Sequence, residues 1–522
     1  MNVEFYQYNL GQLFNSIAIE SNEHTALKFP NGELFTYYQL NTLSNQIAHY
    51  LIEKGIKRND VIAILNNKSN VSYAIMIACL KIGAIYTNLD PKSPIERFKK
   101  MVGLCSPKLL FYYGLKDDLT VANEFKFIDV VGINYQEQPF LQTIVSYPDT
   151  LPSCNSEVTS NTPAYIMFTS GSTGFPKGVL ISHANIINFI SWTKITYSSS
   201  SDDVFTNINP MHFDNSVFDF YASLFTGASL IPVSEQLTRN PRLLLDALNT
   251  VSPTIWFSVP SMLVFMLNMR ALKDSDLPTL RIVTFGGEGF PKNQLRILWS
   301  KWSDRVGFVN VYGPTECTCI CSSYIVTNDD IKDDELLPIG PIAPNFYALV
   351  LSDEGIVVKN GQIGELAIGG ANVGLGYYNN LEKTKEVFIN NPEILTHTDL
   401  IYCSGDLVKF DNDKKIYTFC GRKDNQIKRM GYRIELEEIE NALNSLSVIS
   451  ESAVVYINNN TIKEKIIACI SSDKKDYQKV AVQLENLLPL YMMPDKYIWF
   501  ENLPKNQNGK IDRLQLKEGF NQ

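Results

Sequence analysis

An apolar run, Tyr165-Ile166-Met167-Phe168, leads into Thr169-Ser170-Gly171-Ser172-Thr173-Gly174-Phe175-Pro176-Lys177-Gly178. Glycines let a backbone approach a ligand closely and adopt positive φ. Hydroxyls and main-chain N–H groups can then surround phosphate oxygens, and Lys177 adds a positive charge. The segment is not the common P-loop, because no Gly-Lys-Ser/Thr closes it. A Gly/Ser stretch can also be a plain surface loop. Hydroxyls, glycines and a lysine crowded directly after a strand point instead to phosphate.

Five further segments carry polar groups, each with a plain structural reading when taken alone. Asn310-Val311-Tyr312-Gly313-Pro314-Thr315-Glu316 reads as a Gly-Pro turn with a surface carboxylate. Tyr402-Cys403-Ser404-Gly405-Asp406 reads as a turn. Gly421-Arg422-Lys423-Asp424 reads as a surface ion pair. In Phe213-Asp214-Asn215-Ser216-Val217-Phe218-Asp219, Asp214 suits a helix N-cap. In Asn508-Gly509-Lys510-Ile511-Asp512-Arg513, Lys510 suits a solvated lysine near the chain's end.

The elements around these segments define the architecture. From about Thr36 to Leu245 helical and strand-like patterns alternate, as in parallel α/β sheets. Leu40, Leu43, Ile47 and Leu51 mark one face of a helix, and Val61-Ile62-Ala63-Ile64-Leu65 reads as a buried strand. From about Leu336 to Phe419 short apolar runs lie between Gly, Asn and Asp turns, the pattern of a β-rich subdomain. Near the end, Ile434, Leu436, Ile439, Leu443 and Leu446 recur at helical spacing with Glu435, Glu437, Glu438 and Glu440 between them. Strand-like runs at Ser452–Ile457 and Lys465–Ile470, a helical pattern from about Tyr477 to Leu488, and a strand-like Tyr497-Ile498-Trp499-Phe500 follow. The expected fold is a large α/β N-terminal domain, 1–423, with two α/β subdomains and a β-rich one. A small α+β domain, 424–522, completes it.

Composition narrows the function. At 522 residues the chain exceeds what one core usually supports. Its 45% apolar and 19% charged content is that of an ordinary globular protein. The net charge of −9, with no basic stretch, argues against nucleic acid and anionic membrane as partners. Met1–Gln7 lacks the basic and apolar regions of a secretory signal. Tyr73–Tyr86 is broken by Lys81 and is too short to span a bilayer. A cytoplasmic protein is expected. Nine cysteines, an odd number scattered over a long chain, are not a disulfide framework. Cys317, Cys319 and Cys321 alternate as on one face of a strand. With no nearby His and no zinc-site spacing, they read as packed free thiols.

Taken together and in this order, the segments resemble the adenylate-forming enzymes: nonribosomal peptide synthetase adenylation domains, acyl-CoA synthetases and luciferase. The resemblance runs from about Tyr37 to Leu514. It implies ATP and Mg²⁺, with Thr169, Ser170, Gly171, Ser172, Thr173, Gly174 and Lys177 as the phosphate loop. Gly287, Glu288, Asn310, Tyr312 and Gly313 would line the nucleotide site, with Tyr312 against adenine. Thr315 would reach the α-phosphate and Glu316 bind Mg²⁺, in keeping with the affinity of carboxylates for that ion beside phosphates. Asp406 would accept from the ribose hydroxyls, with Ser404 replacing the family's Thr. Arg422 would contact ribose or phosphate, Asp424 would be the hinge, and Lys510 the catalytic lysine, acting with Thr315 and Arg422.

Phe213-Asp214-Asn215-Ser216 resembles the segment of amino-acid-activating members in which the Asp pairs with the substrate's α-ammonium. Such a contact is charge-assisted and rejects acids that lack the ammonium. The family's pocket positions fall on Asp214, Asn215, Phe218, Ser258, Val283, Phe285, Val311, Cys319, Ile320 and Lys510, which implies a neutral, fairly small substrate side chain. Phe285-Gly286-Gly287-Glu288 is similar to the Phe-Cys-Gly-Glu of D-alanine–carrier protein ligases, with Gly286 where they carry Cys. No carrier-domain serine motif precedes Gln522, so a separate phosphopantetheinylated carrier is expected, or the chain is an excised domain. A monomer is expected. The rival readings are an acyl- or aryl-CoA ligase, which lacks the ammonium-binding Asp, and a non-catalytic nucleotide-binding protein on the same fold.

Overall fold

The structure is a computed structural model and describes residues 7–112, 129–132, 139–171, 174–459, 462–472, 475–505 and 511–520. Lys510, Ser172 and Thr173 lie outside the described residues. The chain divides into two compact units. The first comprises 1–90, 105–167 and 178–423, and the second 91–104, 168–177 and 424–522. The expected large domain ran unbroken to 423. Two of its segments, 91–104 and 168–177, group instead with residues 424–522.

The first unit holds three sheets. The eight-stranded sheet has the order Ser322–Ile325, Gly307–Tyr312, Ile282–Gly286, Ile255–Ser258, Val204–Asn207, Ser229–Pro232, Thr25–Lys28, Leu34–Thr36. Its six inner strands are parallel and its two edge strands antiparallel. The seven-stranded sheet centres on Ile85–Asn88 and Val61–Ile64, buried along their whole length as parallel strands covered on both faces must be. The third sheet joins Phe346–Leu351, Ile363–Gly370, Leu400–Asp411, Phe388–Asn390 and Ile416–Arg422 in antiparallel pairs.

Local sequence explains the helices between the sheets. Helix Tyr37–Glu53 starts at a capping box, Thr36 with Gln39, and buries Leu40, Leu43, Ile47 and Leu51. Helix Asn70–Ile82 is buried on nearly every side, so it carries no polar stripe. It stops at Gly83, whose φ of 71° suits a residue without Cβ. Among the described residues no helix is long and apolar enough to cross a membrane.

In the second unit, the hairpin Gln426–Arg429 with Tyr432–Glu435 precedes helix Leu436–Asn444. The three-stranded sheet Glu451–Asn459, Ile462–Ser471, Lys496–Phe500 follows, with helices Tyr477–Glu485 and Arg513–Phe520. The expected helix over Ile434–Leu446 is shorter at both ends. Ile434 belongs to a strand yet faces the same core as Leu436, Ile439 and Leu443, so the apolar spacing continued through a change of element. Glu435, Glu438 and Glu440 are buried beside Lys177, Arg97 and Arg513.

The three alternating cysteines do not lie on a strand. Thr315–Cys317 is a short 3₁₀ turn, and Thr318 and Cys319 take φ of 58° and 71°. All three are buried, and none is in a disulfide among the described residues.

Candidate active site

The nucleotide candidates of the first unit meet at the carboxyl end of strand Gly307–Tyr312. The Tyr312 hydroxyl donates to Asp406, and the Arg422 guanidinium donates to the same carboxylate and to the Ser404 carbonyl. Asp406 and Arg422 face each other because strands Leu400–Asp411 and Ile416–Arg422 pair them in register. Asp406 is 2% exposed, and burial beside it holds the Tyr312 phenol well above its usual pKa. Ser404 Oγ caps the Asp406 N–H and donates to Leu366 O, so Ser performs the local bonding here.

Beyond Tyr312 the chain must turn in tight space. A Cβ on Gly313 would stand 2.2 Å from Cys319 O and 2.6 Å from Ile320 Cα, so only glycine admits the close return of residues 319–320. Glu316 is fully buried, and its carboxylate accepts from the Tyr377 hydroxyl at 2.7 Å. Tyr377 carries no local sequence signal; the strand pair that aligns it, Gly376–Tyr377 with Leu180 and Val179, is set by the fold. Asn310 Nδ2 donates to Pro338 O, and Glu288 caps helix Pro260–Asn268 through Ser261 N at 2.8 Å. Gly287 takes a φ of 91° that favours glycine.

Asp214 stands at the N-cap position of helix Asn215–Leu224, yet its side chain makes no capping bond. The Thr315 hydroxyl donates to its Oδ2 instead. The segment expected to meet substrate ammonium is thus bonded to the one expected at the α-phosphate.

The carried-over pocket set divides across the eight-stranded sheet. Phe218, Val311, Cys319 and Ile320 share one core, where Phe218 is packed edge-on by Tyr197 and Phe257. Val283 and Phe285 join a different core with Trp256 and Phe290, and the Ser258 hydroxyl accepts from the Trp256 indole. The cause is the period of two along strands: Trp256 pairs Val283 and Ser258 pairs Phe285, while Phe257 and Thr284 project oppositely. Thr284 and Tyr197, absent from the expected set, are hydrogen-bonded on the Phe218 side. Asn215 opens the helix that carries Phe218.

In the second unit the segment expected to hold phosphate folds back on itself. Gly174 N donates to Gly171 O at 2.9 Å, and Gly174 has a φ of 77°. A Cβ on Gly171 would lie 1.9 Å from Phe175 O, so the cradle excludes any side chain there. Thr169 Oγ1 is buried and has no hydrogen-bond partner among the described residues. Ser170 Oγ donates to Arg433 O at 2.7 Å, Gly171 N to Glu438 Oε2 at 3.3 Å, and Lys177 Nζ lies 3.4 Å from Glu435 Oε1. Arg97 also pairs with Glu438, and Lys100 donates to Gly174 O. The loop's donors thus engage acceptors of the type a phosphate would present. Asp424 accepts from Gln426 N at 3.2 Å at the start of the hairpin.

This combination of sheets, with a small α+β unit, is the adenylation-domain fold. An artificially fused adenylation–PCP di-domain NRPS from Klebsiella oxytoca, NpsA-ThdA, matches it with a TM-score of 0.80 at 22% identity, covering 94% of each chain. The family model described as AMP-binding enzyme matches residues 14–378, and the chain belongs to that family. It is 31% identical over 500 residues to the D-alanine–D-alanyl carrier protein ligase of Bacillus licheniformis, covering 94% of this chain and 96% of that one. It is also 31% identical over 509 residues to Gramicidin S synthase 2 of Brevibacillus brevis. That match covers 97% of this chain but 11% of the synthase, so the chain spans a small part of that relative.

Proposed function

We propose that this chain activates an amino acid with ATP and passes the aminoacyl group to the phosphopantetheine thiol of a carrier protein. In the first step a carboxylate oxygen attacks the α-phosphorus, and the bond to pyrophosphate breaks. In the second the thiol sulfur attacks the acyl carbon of the adenylate, AMP leaves with the bonding electrons, and the thiol proton passes to solvent.

The observation that carries the amino-acid reading is Asp214, a carboxylate released from capping and bonded to Thr315. A carboxylate at that point favours substrates with an ammonium and disfavours the plain acids of an acyl-CoA ligase. Tyr312, Asp406 and Arg422 would hold adenine and ribose. Thr169, Ser170, Gly171, Gly174 and Lys177 would hold phosphates; the Thr169 hydroxyl, without a hydrogen-bond partner among the described residues, and the Gly171 cradle fit such a group. Lys510 would neutralise charge at the reacting centre, and Asp424 would be the pivot between the two half-reactions.

Among the described residues no cluster of three or more His, Cys, Asp or Glu is arranged for a metal. Glu316 would hold Mg²⁺, with phosphate oxygens and water as further ligands. When bound, the ion neutralises phosphate charge and orients the departing pyrophosphate. A separate carrier, as the name of the Bacillus licheniformis ligase implies for that protein, is the proposed acceptor.

The test is ATP–pyrophosphate exchange with a panel of L- and D-amino acids, fatty acids and aryl acids. Exchange is expected with one or a few small neutral amino acids and is expected to vanish in Asp214→Ala. Exchange driven by an acid without an amino group would favour the acyl-CoA ligase reading.

A further inference from the structure

Asp214 ends a connection, Ile208–Phe213, that links strand Val204–Asn207 to helix Asn215–Leu224. The base of this connection is tied by buried charges that the proposed chemistry does not use. Asp219, fully buried in the helix, accepts through Oδ2 from Asn207 Nδ2 at 2.9 Å and Asn209 Nδ2 at 3.0 Å. Asn207 Oδ1 accepts from the Tyr73 hydroxyl at 2.7 Å, and Asn209 Nδ2 also reaches Phe257 O at 3.1 Å. From the connection between strand Val61–Ile64 and helix Asn70–Ile82, Lys68 donates to the carbonyls of Asn207, Ile208 and Val233 at 2.7, 3.0 and 2.9 Å. One ammonium thus gathers the carboxyl ends of two neighbouring strands and the first residue of the connection.

Stability alone does not explain this arrangement. Charges removed from water are costly, and apolar residues of similar volume often serve a core at least as well. Burial is the main influence on both groups, pushing the Asp219 carboxyl up and the Lys68 ammonium down, while their mutual attraction opposes it. One Asp219 oxygen, Oδ1, has no partner among the described residues. What the network supplies is geometry. Four hydrogen-bond donors fix the connection at Asn207, Ile208 and Asn209, so the chain has little freedom before it delivers Asp214.

Resting on the reading of Asp214 as the ammonium-binding carboxylate, we infer that Asp219 and Lys68 are positioning residues for the amino-acid end of the site. Lys68 acts through the carbonyls of Asn207 and Ile208 and Asp219 through the side-chain amides of Asn207 and Asn209, neither in a role that touches substrate or nucleotide. Loosening them displaces Asp214 while leaving the Tyr312–Asp406–Arg422 cluster, which shares none of these bonds, as it is.

The experiment is ATP–pyrophosphate exchange on the full chain, with KM measured separately for the amino acid and for ATP, and with thermal unfolding recorded for each variant. Asp219→Asn is expected to raise the amino-acid KM about tenfold, the scale of a small misplacement transmitted from outside the reacting groups, with the ATP KM changed less than about twofold. Should that variant fail to fold, Tyr73→Phe decides, since it removes only the hydroxyl bond to Asn207; an amino-acid KM raised about threefold is expected. Equal rises in both KM values, or an unchanged amino-acid KM, overturn the inference. Asp214→Asn separates the two layers. Normal exchange there removes the ammonium reading and this inference with it. Lost exchange there, with an unchanged amino-acid KM in the folded test variant, overturns the positioning role alone.

Discussion

The proposed nucleotide cluster of the first unit and the proposed phosphate loop of the second are held in opposite ways. In the cluster, Tyr312 and Arg422 both donate to Asp406, so the side chains expected to hold adenine and ribose brace one another. In the loop, Ser170, Gly171 and Lys177 engage a carbonyl and two carboxylates supplied by residues 433–438, and Thr169 Oγ1 has no partner among the described residues. The first arrangement is preorganised by like-serving neighbours. The second is held by a carbonyl and two carboxylates that a phosphate bound as proposed would have to replace. On the proposed reading, the difference is that internal acceptors keep this loop ordered where phosphate would bind, at a cost in affinity that substitution should reveal.

Lys510→Ala should have the largest effect, because no surrogate replaces a charge needed at the reacting centre. Removing one such group typically slows the chemical step by about 10²–10³. Amino-acid-dependent exchange should fall by that factor while ATP still protects the protein against thermal unfolding. Near-normal exchange would remove Lys510 from the catalytic set. Asp406→Asn should come next and should break the cluster, not the loop. It leaves the Arg422 guanidinium, 9% exposed, without its carboxylate. Truncating one partner of a buried pair costs more than the pair contributes. The ATP KM should rise about tenfold or more with a lower melting temperature, and the amino-acid KM should change little. An unchanged ATP KM would show that Asp406 serves only to brace the fold.

The same contrast explains what could be seen in the sequence. Motifs that are continuous in the chain were legible: Gly171 and Gly174 sit where a side chain or negative φ would not fit, and Gly313 admits the return of Cys319. Alternating patterns correctly separated the α/β sheets from the antiparallel Phe346–Arg422 region. Partners distant in sequence were not legible. Nothing near Tyr377 announces that it holds Glu316, and nothing near Arg97 or Glu438 announces the phosphate loop. Nothing in the apolar spacing around Glu435 and Glu438 announces that both are buried beside Lys177 and Arg97. Val283 and Phe285 were matched by position alone. Which face of a strand a residue takes depends on register, and here register turns them toward Trp256 and Phe290.

The smallest expected effect tests the role of internal acceptors most directly. Glu435 is 5% exposed at the start of helix Leu436–Asn444, where it makes no capping bond. Burial raises its carboxyl above the ordinary range; Lys177 and Arg433 pull it down, and Asp424 and Glu437 push it up. A carboxyl with a raised folded pKa binds its proton more readily folded than unfolded. Its contribution therefore favours folding below the ordinary value near 4.5 and is lost as pH rises through the raised one. Above that window Glu435 is charged and competes with phosphate for Lys177; within it, acidification neutralises the competitor. Glu435→Gln should therefore lower the ATP KM about threefold at pH 8, the worth of one modest ion pair. The difference from the unsubstituted enzyme should shrink as the pH falls toward 5. Melting temperatures across the same range should show the substituted protein without the acid-side gain in stability. An ATP KM that is unchanged or higher at pH 8 would mean that Glu435 supports the loop without competing for its lysine, and the contrast between the two regions would then rest on Glu438 alone.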